Sequence, residues 1–236
     1  MLQKLPAIML TAFTLVFLSC NKDNTPGDQD DDPGETGTVT DVDGNVYKTV
    51  KTGNQVWMAE NLNVTHYNDG GEIYNATASA ANPDSWIQRP GGLRCYYDND
   101  ENNGKIYGQL YNWAAVNSGK LAPQGWHIPT KEEWETLTAF LGGEITAGVK
   151  LKATTSWDNG STHPGDNSSG FTGLAAGGRG NNLGIFGGKG TTAAFWSSTK
   201  AGTFLYSYIL SLNSAMVSSL NTTSEKEGLS VRCVKN

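Results

Sequence analysis

The sequence has few cysteines, few histidines and no cluster of basic residues, and each scarcity excludes a class of function. Its 3 cysteines, at positions 20, 95 and 233, lack the closely spaced pairs that a metal-binding cluster needs. Its 3 histidines, at 66, 127 and 163, are equally scattered and show no metal-ligand spacing. The net charge is −6 and Lys and Arg do not cluster, so we expect no nucleic-acid partner. The Gly-x-Ser-x-Gly motif of serine hydrolases is also absent from the sequence.

The longest apolar run, residues 5–18, follows Lys4 and is too short to span a membrane. This pattern predicts a secretory signal peptide over residues 1–19. The run ends in Phe-Leu-Ser-Cys, which resembles the lipobox of bacterial lipoproteins with phenylalanine where leucine is usual. The resemblance implies cleavage before Cys20 and its acylation, so that several acyl chains anchor the protein in a membrane. The alternative is an apolar helix that is kept and buried.

Residues 20–37 are rich in Asp, Gly, Pro, Thr and Asn and contain no large apolar side chain. Such a segment cannot bury enough surface to offset the entropy lost on ordering, so we interpret it as a disordered acidic tether. A calcium-binding acidic tail is the alternative. Residues 21–23 resemble the short charged signals that send lipoproteins of Bacteroidetes to the cell surface. We therefore expect a domain over residues 38–236 that is held in the cell envelope, anchored in the outer membrane and exposed at the surface.

The most informative stretch, residues 125–137, predicts the start of a helix. Thr130 and Glu133 form a capping box, in which each side chain accepts a hydrogen bond from the other residue's backbone amide. Pro129 favours an extended chain just before the cap. We expect Trp126 to pack across the start of the helix onto its apolar stripe. That stripe consists of Trp134, Leu137 and Leu141, which recur at helical spacing.

Turn and periodicity signals outside this stretch define the fold class. Glycine-containing turns at 43–44 and 53–54 separate three apolar runs and predict a three-stranded meander over residues 38–58. Residues 105–116 carry apolar side chains at helical spacing and predict a second main helix. Four later segments have strand patterns, namely 193–198, 204–210, 215–220 and 229–234. The fold class is therefore α+β, a loop-rich single domain with antiparallel sheets and two main helices.

Seven blocks of sequence, all in the same order, resemble the Fibrobacter succinogenes major paralogous domain. They are residues 54–62, 95–98, 107–113, 125–134, 170–179, 196–199 and 231–234. The block at 125–134 also resembles the G-W/F-R-L-P-T-x-x-E-W-E motif of the formylglycine-generating enzyme (sulfatase-modifying factor) superfamily. Because that superfamily has a fold related to C-type lectins, the resemblance implies a C-type lectin-like domain.

The enzyme branch of that superfamily uses two neighbouring cysteines late in the chain, which bind copper and activate oxygen. This sequence offers only Cys233 there, so the resemblance implies the scaffold without that chemistry, and we expect no formylglycine-generating activity. In an exported protein, Cys95 and Cys233 favour a disulfide, because an exposed thiol would oxidise. The alternative is two reduced, buried thiols.

We expect no cofactor, and calcium is the one alternative that the sequence offers. Asp98, Asp100 and Asn102 alternate as in an EF-hand loop, but Gln109 stands where the bidentate glutamate belongs. We therefore favour a solvated turn here, and a weak calcium site is the alternative interpretation. Residues 41, 43 and 45 alternate in the same way, and there we favour a plain turn. Residues 157–159 also resemble the W-N-D calcium motif of C-type lectins with the last two residues exchanged.

Two functions are compatible with these patterns. The first is a non-enzymatic binding or adhesion module for a glycan or a surface protein, using loops 65–92 and 156–182 with exposed Trp86 or Trp157 as stacking platforms. The second is an extracellular enzyme, or a subunit of one, with unknown chemistry on the same loops. A structural envelope protein is a third interpretation. A pocket with convergent acids or histidines favours the enzyme, whereas a shallow aromatic groove favours the binding module.

Overall fold

A computed structural model describes residues 34–76, 85–181 and 184–236 of the chain. The predicted signal peptide, Cys20 and residues 20–33 of the predicted tether lie outside the described residues. Residues 34–37, predicted as the end of the disordered tether, instead lie in a β-strand that begins at Gly34. Within the described ranges, no helix is both long enough and apolar enough to cross a membrane.

The described residues form thirteen β-strands and five short α-helices. The strands are β1 (Gly34–Thr40), β2 (Val46–Thr52), β3 (Gln55–Met58), β4 (Tyr74–Asn75), β5 (Leu93–Cys95), β6 (Leu110–Tyr111), β7 (Trp126–His127), β8 (Ala176–Arg179), β9 (Phe186–Lys189), β10 (Thr192–Ala201), β11 (Phe204–Ser211), β12 (Val217–Thr222) and β13 (Val234–Lys235). The helices are α1 (Ser85–Gln88), α2 (Glu101–Tyr107), α3 (Trp113–Val116), α4 (Lys131–Phe140) and α5 (Ala147–Leu151). The predicted α+β class is confirmed.

The first sheet has the strand order β1-β2-β3-β13-β7, and all its neighbours are antiparallel. The predicted meander is therefore confirmed as β1 to β3. Its turns contain Gly44 and Gly53 with φ of 83° and 59°, a backbone conformation that glycine adopts without strain. Because β13 lies between β3 and β7, the last residues of the chain sit beside the segment that leads into α4.

The second sheet has the order β12-β11-β10-β8-β9 and contains the longest strands. The predicted strands at 193–198, 204–210 and 215–220 are confirmed as β10, β11 and β12. Residues of β11 point into both large core clusters: Leu205 into one, Tyr208 and Leu210 into the other. The predicted strand at 229–234 is shorter, because residues 229 and 230 form only isolated bridges before β13. The third sheet is β4-β5-β6.

Helix α4 begins as the sequence predicts. Thr130 accepts a hydrogen bond from the Glu133 amide, and the Glu133 carboxylate accepts one from the Thr130 amide. Trp134 is fully buried and stacks on Tyr208 with ring centroids 4.8 Å apart. Trp126, however, packs against the core cluster that contains Trp113 and Trp196, not against the cluster of Trp134. The predicted packing of Trp126 on the α4 stripe is wrong, because its side chain lies on the other core cluster.

The predicted second main helix over residues 105–116 is wrong. Helix α2 ends at Tyr107, strand β6 follows, and α3 begins at Trp113. Gly108 breaks the helix with φ of 74°, and a Cβ at this position would lie 2.8 Å from the carbonyl oxygen of Leu62. Helical spacing alone did not reveal that the backbone of residue 62 approaches this position too closely for a side chain.

The predicted disulfide is also wrong. Cys95 and Cys233 are both free thiols, and they lie in two different core clusters. Burial raises the pKa of Cys95 to about 11 and raises the pKa of Cys233 as well. Since the thiolate is the reactive form, both side chains are protected from oxidation by burial instead of by a bond to each other.

Candidate functional site

The loop that follows α5 encloses a cleft of about 240 Å³, lined by residues between 152 and 165. One wall is the ring of Trp157, which is half-buried. The exposed polar side chains on the rim are Asp158, Asn159 and His163. The cleft therefore combines one aromatic surface with several hydrogen-bonding groups.

Lys152 fixes this loop from beneath, and only 1% of its surface is exposed. Its ammonium group donates to four backbone carbonyls, those of His163, Ser211 (3.1 Å), Leu212 (3.3 Å) and Ser214 (2.9 Å). Burial lowers the pKa of Lys152. Three of the four carbonyls lie at the last residue of β11 and in the turn that leads to β12, so one buried cation joins the cleft loop to the β11–β12 turn.

Further contacts hold the loop in place. The Ser161 hydroxyl donates to the Leu212 carbonyl, and the Thr162 amide donates to the Asn213 side chain at 3.1 Å. The amide of Asp158 donates to the Gly190 carbonyl at 2.8 Å. Gly190 has φ of 83°, and a Cβ there would lie 2.3 Å from the Asp158 carboxylate. The cleft is thus built before any ligand arrives.

Trp157 is the predicted ligand residue that the structure places in a cleft. Its indole N–H donates to the Gly173 carbonyl at 3.1 Å, and its ring packs against the core cluster of Trp134. The ammonium nitrogen of Lys152 lies 5.3 Å from the ring centroid. These contacts fix the orientation of the indole.

The prediction that Trp86 is an exposed stacking platform is wrong. Its side chain is fully buried, and its indole N–H donates to the Lys226 carbonyl at 2.6 Å. The guanidinium of Arg179 lies 4.6 Å from the ring centroid. In a stretch otherwise poor in apolar residues, this tryptophan forms part of the core instead of the surface.

The predicted calcium residues Asp98, Asp100 and Asn102 lie on an exposed turn before and at the start of α2. One Asp100 oxygen caps the helix by accepting from the amide of Asn102 (2.9 Å) and from its side chain (3.1 Å). Across the described ranges, no three His, Cys, Asp or Glu side chains are grouped to hold a metal ion. Calcium binding at this turn stays a prediction.

The similar alternation at 41, 43 and 45 is a turn, as favoured. The Asp41 carboxylate accepts four hydrogen bonds, from the Asp43 amide, the amide and side chain of Asn45, and the Tyr47 hydroxyl. A carboxylate has about four acceptor sites, so protein donors already fill those of Asp41.

Asp43 in the same turn makes a testable contribution to stability. Its carboxylate lies 2.6 Å from His66 Nδ1 and accepts from the amide and hydroxyl of Thr65. Burial acts to raise the pKa of Asp43, but the hydrogen bonds from Thr65 and His66 outweigh it, so the net pKa is lowered. Asp43→Asn is expected to reduce the free energy of unfolding at pH 7 by about 1 kcal/mol, because charge-assisted hydrogen bonds become neutral ones.

The pH dependence of this effect follows from the lowered pKa. The charged carboxylate stabilises the fold above its ordinary pKa of 3.8, and that stabilisation is lost as the pH falls through the lower folded value. Urea unfolding at pH 7 and at about pH 2.5 measures the difference. Asp98→Asn, on an exposed turn, is the control. It is measured with chelator because Asp98 is a candidate calcium ligand. A penalty for Asp43→Asn that persists unchanged in acid would contradict this account.

A second histidine–carboxylate pair lies at the start of α4. His127 Nε2 is 2.7 Å from Glu133 Oε1, and His127 Nδ1 is 2.6 Å from Asn236 Oδ1. The other Glu133 oxygen accepts from the Thr130 amide at 2.8 Å. The sequence did not reveal these links of His127 to Glu133 and Asn236. The pair joins β7, the start of α4 and the end of β13.

The chain matches a known protein family. A family model described as the Fibrobacter succinogenes major domain matches residues 50–235. This range contains α4, both large sheets except β1 and part of β2, and the Trp157 cleft. No curated protein and no solved structure matched the chain.

Proposed function

The chain belongs to the Fibrobacter succinogenes major domain family, and from that membership and the Trp157 cleft we propose a non-enzymatic module that binds a glycan. In this proposal the signal peptide is removed, acylated Cys20 anchors the chain in the outer membrane, and the acidic tether holds a C-type lectin-like domain at the cell surface. A glycan of the surroundings or of a neighbouring cell is the ligand.

The composition of the cleft carries the proposal. A sugar ring has an apolar face of C–H groups, which packs on an aromatic ring, and a rim of hydroxyls, which need hydrogen-bond partners. Trp157 supplies the ring, while Asp158, Asn159 and His163 supply donors and acceptors at the rim. At about 240 Å³ the cleft is smaller than the roughly 300–1,000 Å³ of sites for drug-sized ligands, which suits a single sugar unit.

Preorganisation supports the same conclusion. The indole is held by Gly173 and Lys152, and the loop is bonded to the β11–β12 turn. A ligand therefore orders few side chains when it binds, and the entropy cost of association is low. A weakly binding sugar depends on such a preformed surface.

The enzyme alternative has less support. In the two histidine–carboxylate pairs, Asp43 and Glu133 already accept hydrogen bonds from backbone amides. Neither pair lines the Trp157 cleft, where the histidine is His163, whose ring lies 3.1 Å from the Thr162 hydroxyl. The residues around the cleft suit binding better than proton transfer.

A glycan array probed with the full-length chain in detergent, with calcium and with chelator, tests the proposal. Trp157→Ala is expected to lower the affinity for the best ligand by about tenfold or more, because the stacking surface is lost. Trp126→Ala, a half-buried tryptophan outside the cleft, is the matched control and should leave affinity unchanged. Thermal melts verify that both variants are folded. An array without hits in either condition, or equal losses in both variants, would refute the proposed site.

A further inference from the structure

Strand β12 forms an outer edge of the second sheet, and its composition differs from that of the other outer strands. It runs for six residues, Val-Ser-Ser-Leu-Asn-Thr, without a charge or a proline. Natural sheets usually protect such an edge with charged residues, proline, bulges or shortness. Among the other outer strands, β9 contains Lys189, and β4, β6 and β7 have two residues each.

The backbone of β12 also offers free hydrogen-bonding groups. The amide of Val217 donates to the Glu144 carbonyl at 2.7 Å, so it points away from β11. Because these directions alternate along an antiparallel strand, the N–H and C=O groups of Ser219 and Asn221 point outward as well. Both residues are exposed, and among the residues that the structure describes no backbone partner pairs with this side of 218–222. The edge is therefore ready to accept another strand.

We infer that β12 pairs with β12 of a second copy of this chain, antiparallel about a two-fold axis at Leu220. In this register Leu220 faces Leu220 of the second copy, and Ser218 faces Thr222. Ser219 of each copy exchanges two backbone hydrogen bonds with Asn221 of the other, which gives four in total. No charges oppose each other in the paired strands. The two sheets become one continuous sheet of ten strands.

The identity of the occupant follows from this self-complementarity. Leu220 is 54% exposed. When the strands pair about a two-fold axis at Leu220, the side chains of the two leucines bury each other. The Glu144 carbonyl already accepts a hydrogen bond from the Val217 amide. The free edge is therefore limited to the five residues 218–222, which are the segment that pairs symmetrically. A dimer would also present two Trp157 clefts together, which raises avidity for a repeated ligand. The inference does not depend on what the cleft binds.

Sedimentation velocity of the full-length chain in detergent, over a concentration series, tests the association. The expected result is a reversible dimer, and Leu220→Lys should lower the association constant at least about tenfold by placing two like charges opposite each other. Val46→Lys is the matched control, since Val46 is 62% exposed but lies on β2, inside the first sheet. A chain that is monomeric at every concentration, or equal losses in both variants, would overturn the inference.

Oxidative cross-linking tests the register independently. Opposed residues at the axis have Cα atoms about 4.5 Å apart, within the range of a disulfide, so Leu220→Cys should cross-link to its own copy. Ser218→Cys should not, because the two copies of residue 218 are displaced by four residues, about 13 Å along the strand. Mass spectrometry of peptides that contain the new cysteine distinguishes these bonds from those of Cys20. Equal cross-linking of the two variants would disprove the proposed pairing.

Discussion

Arg232→Met is expected to lower the free energy of unfolding by about 3–5 kcal/mol, a large share of the 5–15 kcal/mol that stabilises an ordinary domain. The Arg232 side chain is fully buried. Its guanidinium donates to the carbonyls of Met58 (3.0 Å), Phe171 and Thr172 (2.8 Å) and to the side chain of Asn61 (2.6 Å). Methionine fills much of the same space but leaves all four acceptors without a donor, and an unsatisfied buried acceptor is costly.

The environment of this cation is matched to a guanidinium group. Its guanidinium carbon lies 4.4 Å from the ring centroid of Phe171, so an aromatic face stabilises the charge. Burial lowers the pKa of Arg232 to about 9, which still leaves the group charged at neutral pH. Arg232 joins the end of the meander, the loop at 171–172 and the last segment of the chain. Three distant parts of the fold therefore depend on one planar group with five donors.

Two further variants separate charge from geometry. Arg232→Lys keeps the charge but cannot reach all four acceptors. We therefore expect it to lower the free energy of unfolding by about 2 kcal/mol or more. Arg89→Met, at an exposed arginine that stacks on Tyr74, is the matched control and should change stability by less than about 1 kcal/mol. Urea unfolding followed by tryptophan fluorescence measures all three. An Arg232→Met chain within about 1 kcal/mol of the unaltered one would contradict the assigned role.

Local sequence signals predicted local structure well. The capping box of Thr130 and Glu133 depends on residues three apart, and it forms as expected. The meander turns depend on Gly44 and Gly53, whose positive φ angles a sequence motif can indicate. The strands β10 and β11 were recognisable because long alternating or continuous apolar runs have few other interpretations. In each case the interaction that decides the structure lies within a few residues.

Features that depend on distant contacts were not predictable. Trp86 and Trp157 are both tryptophans in long irregular stretches, yet one is fully buried and the other lines a cleft. Nothing near Gly108 in sequence indicates that the Leu62 carbonyl will approach it. Cys95 and Cys233 are the two cysteines of the predicted domain, which favoured a disulfide, but they belong to separate clusters of the core. Which residues meet is decided by the packing of sheets, not by local pattern.

The same limit applies to the candidate site. Trp157 was a candidate from its residue type, but Lys152 was not, because a lysine beside polar loops usually lies in solvent. The cleft exists because Lys152 in its loop is bonded to Ser211 and Ser214, 59 and 62 residues later. A buried cation that binds only carbonyls leaves no matching acidic residue in the sequence, so no pattern of opposite charges reveals it.

Lys152→Met is expected to lower the free energy of unfolding by about 2–4 kcal/mol and to lower the affinity of the Trp157 cleft for its ligand. The methionine leaves the carbonyls of Ser211, Leu212 and Ser214 without their shared donor. It also removes the cation that lies beside the Trp157 ring, so the loop and its aromatic wall lose a common support. Urea unfolding measures the loss of stability, and hydrogen exchange of the amides at 161–163 measures the loosening of the loop.

Lys150→Met is the matched control, because Lys150 is half-buried on α5 only two residues away. Among the described residues, the hydrogen bonds to the carbonyls of Ser211, Leu212 and Ser214 come from Lys152 and not from Lys150. We expect it to change stability by less than about 0.5 kcal/mol and to leave exchange in the loop unaltered. If the two variants behave alike, the ammonium group of Lys152 does not hold the loop. If Lys152→Met is strongly destabilised while exchange at 161–163 rises no more than elsewhere, the cation supports the whole domain and not the cleft. Faster exchange confined to the loop, with the rest of the second sheet still protected, is the result that this geometry requires.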